Sequence, residues 1–151
     1  MDPDSKPDLR LDDAAAELLE PDRATLAAVG KITEALETVE VARGHLYAFH
    51  QLTGSADEKL AHGIDQLRAA GHREHADRLA EQLLGRNVLH GRWTFQVVEE
   101  YDATYYSPFR DHEMRVRELT RGIPHLAEAR LKRENRTAGL PGHEATPDSK
   151  D

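Results

Sequence analysis

An all-α protein, built as an antiparallel up-down helical bundle, is the expected fold of this 151-residue chain on three observations. Apolar residues recur at three- and four-residue steps over long stretches, which is the period of an amphipathic helix. No run alternates Val, Ile or Thr with polar residues, and no hairpin dipeptide joins two such runs. Gly, Pro and Ser fall where the periodic stretches end, so they divide the chain into four main helices plus a short C-terminal helix or two. Residues 1–10 and 138–151, rich in Asp, Pro, Gly, Ser and Lys, are expected to be disordered tails around one domain of residues 11–137.

Asp12 to Leu19 has the length of a short helix that Pro21 ends. A long run then starts near Arg23, with Val29, Ile32, Leu36, Val39 and Leu46 on one side, and Thr53-Gly54 is its expected stop. Ser55-Ala56-Asp57-Glu58 reads as a capping box that opens a second helix through Leu60, Ile64 and Leu67 to Gly71. A third helix begins at His72 and packs through Leu79 and Leu83, with Gly85 as its stop. A fourth is expected from Asn87 to Tyr106. Ser107-Pro108, with serine as N-cap and proline at the first helical position, restarts a helix to Arg121, and Pro124 opens a last basic one.

The chain has no cysteine, which excludes disulfides, thiolate metal sites and thiol nucleophiles. A net charge of −8 opposes binding to nucleic acid, and no apolar run is long enough for a membrane span. The amino terminus, Met1-Asp2-Pro3-Asp4-Ser5, precedes no apolar segment of a secretory signal, so a cytoplasmic location is expected. Charge is uneven: residues 1–40 hold eleven acids against four bases, whereas residues 108–137 hold eight bases against five acids. The basic end is expected to be a solvated surface with ion pairs such as Glu113 to Arg117.

All eight aromatic residues lie in two stretches, Tyr47 and Phe49 in one, and Trp93 to Phe109 in the other. At about 100° per residue, Glu40, Arg43, Tyr47 and His50 share a face with Val29 and Leu36, while Arg86, His90, Gln96 and Glu100 cluster with Trp93. Facing antiparallel helices would bring these groups together as a buried polar ladder: His50 level with His90, and Arg43 between Glu40 and Glu100. Two readings follow. The first is a non-catalytic interaction or small-ligand-binding module, with self-association or a protein partner held through helix 87–106, whose two apolar faces need a cover. The alternative is a metal-dependent or acid-base enzyme using His50, His90 and neighbouring carboxylates. No cofactor is predicted under the first reading. Under the second, His50 and His90 would hold a divalent metal with a third ligand from Glu81, Asp111, His112 or Glu113. No Glu-x-x-His, His-Glu-x-x-His, nucleophile elbow or phosphate-binding glycine loop occurs.

Overall fold

The computed structural model describes residues 23–123 and 125–143. The expected helix over 12–19 and most of both expected tails lie outside these residues. Those described are helical and contain no strand, and the fold is an all-α antiparallel helical bundle. The helices are α1 (Arg23–Ala69), α2 (Arg73–Gln82), α3 (Thr94–Tyr101), α4 (Ser107–Arg117) and α5 (Leu126–Asn135). A π-helical turn, Asp102–Tyr106, joins α3 to α4 without a break. Two compact units divide the chain, one of residues 39–108 and the other of 1–38 with 109–151, and α1 contributes to both.

Two of the expected helices are therefore one, since α1 runs for 47 residues through Thr53-Gly54. The Thr53 hydroxyl donates to the Phe49 carbonyl at 2.7 Å, the back-bonding available to threonine inside a helix, and Ser55 caps nothing. Gly54 is a tolerated interior glycine that weakens the helix without ending it. The true stop is Gly71, at φ +89°, where His72 N–H bonds to Leu67 C=O and Gly71 N–H to Arg68 C=O. This is a Schellman motif, and it takes up the last free carbonyls of α1.

In the 39–108 unit, α2 returns along α1 and α3 follows it. Arg68 meets Asp77, Asp57 accepts from the Gly85 N–H at 2.9 Å, and His50 meets Thr94, so the partners climb as α1 descends. The core here is small, formed by Val39, Ile64, Ala76 and Val98. Gly85, at φ +68°, lies just past the end of α2, as expected. The next helix starts at Thr94 rather than Asn87. Leu89 to Arg92 form a tight turn in which Gly91 takes φ +67° and Arg92 N–H bonds to Leu89 C=O, a backbone that glycine adopts readily and a helix does not contain. Trp93 is extended and its N–H donates to the Gln96 side chain at 2.9 Å, which fixes the start of α3.

Ser107-Pro108 does not restart a helix either. Proline has no N–H to give to the residue four back, and its ring crowds that carbonyl. The wide turn resolves this conflict: Ser107 N–H reaches back five residues to Asp102 C=O, immediately before the proline, and the helix continues.

In the second unit, Leu26, Val29 and Leu126 form the apolar core, and Gly30 lets α5 approach so closely that a Cβ there would lie 2.7 Å from Ala127 Cβ. Glu113 of α4 is only 4% exposed. It accepts from Thr33 Oγ1 at 2.9 Å and pairs with Arg117 at 3.1 Å. The Glu113 to Arg117 pair expected at the surface is thus partly buried. Other basic groups of this unit also find acids, Arg130 at 2.9 Å from Glu134 and Arg23, at the start of α1, at 3.7 Å from the same carboxylate.

Candidate functional site

The polar residues of α1 face the return segment of the 39–108 unit, as their spacing implies, but with different partners from those expected. Arg43 donates through Nε to Asp102 Oδ1 at 2.7 Å and through Nη2 to Asp102 Oδ2 at 3.0 Å, a bidentate pair. Its guanidinium also lies over two rings, 4.5 Å from the centre of Tyr106 and 5.0 Å from that of Tyr47. Tyr106 in turn donates to Glu40 Oε1 at 2.6 Å. The half-buried carboxylate beside Arg43 is held below the usual Asp range, chiefly by the hydrogen bonds from the guanidinium, and Arg43 is raised by the same bonds.

The expected ladder was buried, with Arg43 between Glu40 and Glu100, and both parts are corrected: Arg43 and His50 are half-buried, whereas Glu40 and Tyr47 are exposed. Glu100 is exposed and pairs with Arg92 at 2.7 Å. His50 Nδ1 lies 2.7 Å from Thr94 Oγ1, so His50 is level with Thr94 and not with His90. The four-residue offset follows from the turn at His90-Gly91, which puts His90 in an exposed turn before the helix. The wide π turn is the second cause. Its residues advance by less than 100° each, so Asp102 and Tyr106 both point at α1. Of the remaining expected residues, Arg86 is exposed and reaches the Gln82 carbonyl at 3.3 Å, and Gln96 serves the start of α3.

Beside this polar seam lies an apolar surface. Leu83, Val88, Leu89, Trp93 and Phe95 are large, exposed and separated by at most five residues, with Trp93 59% accessible. The Trp93 and Phe95 rings meet edge to face with centres 5.6 Å apart. Phe49 and Leu52 of α1, which flank His50 in sequence, are exposed as well.

Sequence spacing missed a third cluster, in the other unit, because its members come from separate elements. Glu37 of α1, His125 and Glu128 have ligand atoms that all lie within 4.8 Å of one another. Its one signal in the sequence is the histidine that precedes the last helix. No helix among the described residues is long and apolar enough to cross a membrane. No protein-family model, curated protein or solved structure matches the chain.

Proposed function

We propose that this chain is a non-catalytic interaction module that binds a second copy of itself through the surface around Trp93. The observation that carries this reading is the exposure of five large apolar residues from Leu83 to Phe95, two of them an edge-to-face aromatic pair. Single exposed apolar residues are ordinary, but five within thirteen residues of chain, with tryptophan among them, have the character of an interface centre. The polar seam supports a structural role beside it. Asp102 already takes two donors of Arg43, and the tyrosine rings cover the guanidinium, so this cation is not free for a small ligand. A cytoplasmic setting belongs to the same proposal.

Sedimentation equilibrium of the full chain at micromolar concentration is the test. A dimer is expected, and Trp93→Ser combined with Phe95→Ser should yield a monomer of unchanged helix content. A monomeric parent protein would overturn the reading.

One contact favours the enzymatic alternative, the half-buried His50 to Thr94 pair, since a hydroxyl beside an imidazole is the arrangement of an activated nucleophile. It lacks a third group orienting the imidazole among the hydrogen bonds described, which places it second.

A further inference from the structure

We infer that Glu37, His125 and Glu128 form a divalent transition-metal site beside a cavity in the unit of residues 1–38 and 109–151. His125 Nδ1 lies 3.5 Å from Glu128 Oε2 and 3.9 Å from Glu37 Oε1. Three ligands each about 2.1 Å from one ion are about 3.0 to 3.5 Å apart at right-angle or tetrahedral bond angles. The first distance therefore fits as it stands, the second closes with a shift of a few tenths of an ångström, and the third, between Glu37 and Glu128 and no more than 4.8 Å, closes by rotation of the exposed side chains.

The local backbone explains why the three groups converge. His125 precedes α5 in the left-handed region, at φ +58°, which turns the chain back toward α1, and Glu128 follows within the first turn of α5. A glutamate in a first turn is also stabilised by the helix dipole alone, so its position would need no metal. That dipole amounts to about half a positive charge, however, whereas the two carboxylates together carry two negative charges, so the cluster attracts a cation on balance. One imidazole with two carboxylates suits zinc, cobalt or manganese better than calcium or magnesium, which favour oxygen alone.

A second observation is the cavity that two of the three groups line. His125 and Glu128 line a cavity of about 470 Å³ whose wall is mainly apolar, including Leu26, Val29, Ile123 and Leu131. This volume lies in the range of small-molecule sites. Three protein ligands leave at least one coordination position open for water or a small ligand.

The test is calorimetric titration of the full chain, stripped with chelator, using Zn²⁺, together with the visible spectrum of the Co²⁺ form. One ion per chain is expected. His125→Ala should abolish the Co²⁺ band, and Glu37→Gln and Glu128→Gln should each weaken binding at least about tenfold, all with unchanged helical circular dichroism. The double variant His50→Ala with His90→Ala should bind as the parent does. Absence of binding, or binding that survives His125→Ala and so belongs to other surface histidines, would overturn the inference.

Discussion

Arg43 and Asp102 show how a single pair is tied to pH. The carboxylate titrates lower in the folded chain than in the unfolded one, so the unfolded state takes up protons first as pH falls. The stability contributed by this pair is complete above the unfolded value of about 4 and is lost as pH drops through the folded value. Asp102→Asn should therefore lower the urea midpoint at pH 7, with the gap to the parent protein narrowing as pH falls below the ordinary Asp range. A gap that is constant with pH would assign the effect to packing. Arg121 offers a test of a different kind. It holds φ +58° at the end of the 3-10 turn Glu118–Thr120, where its N–H bonds to Glu118 C=O and that of Gly122 to Arg117 C=O. A side chain in this region costs roughly 1 kcal/mol, so Arg121→Gly should stabilise the protein by up to about that amount in denaturant unfolding. That Glu40, Arg43 and His50 lie on one side of α1 was legible because helical period needs only local sequence. Their partners were not, because register depends on where the opposing helix starts and on how many residues each turn holds.

Helix boundaries divide along the same line. Gly71 and Gly85 were legible as stops because the chain there takes a backbone that glycine adopts without strain. Gly54, Ser55 and Ser107-Pro108 carry equally good local signals and are overridden, since a continuous α1 and a wide turn before the proline keep the helices intact. The glycines of α1 give a contrast that spacing alone would not supply. Nothing approaches a Cβ placed on Gly44 or Gly54, so alanine at either should stabilise by about 0.5–1 kcal/mol through helix propensity. At Gly30 the new methyl would meet Ala127, and overpacking of about 1–3 kcal/mol should cancel or exceed that gain. Thermal unfolding of the three variants compares them directly, and a Gly30→Ala protein as stabilised as Gly44→Ala would contradict the close approach of α5.

Association belongs to the whole molecule, and its charge gives the prediction a sign. The chain carries −8, and residues 39–108 contain ten acids against seven bases, so two copies repel at long range. Salt shortens that repulsion and leaves apolar burial in place. Dimerisation should accordingly strengthen between 50 and 500 mM NaCl, the reverse of what binding to a phosphate polymer would give. Weakening over that range would indicate that ion pairs rather than the Trp93 surface hold the copies together. The metal cluster falls outside what periodicity could find. It depends on Glu37 and Glu128 converging from positions far apart in the chain, which no local pattern records. The exposed aromatic pair has one more consequence. Trp93 is the chain's only tryptophan, and it stands in the surface assigned to the partner. Its fluorescence is thus an intrinsic reporter of that surface: a shift of emission to shorter wavelength, or loss of quenching by iodide, would record each encounter in real time without a label.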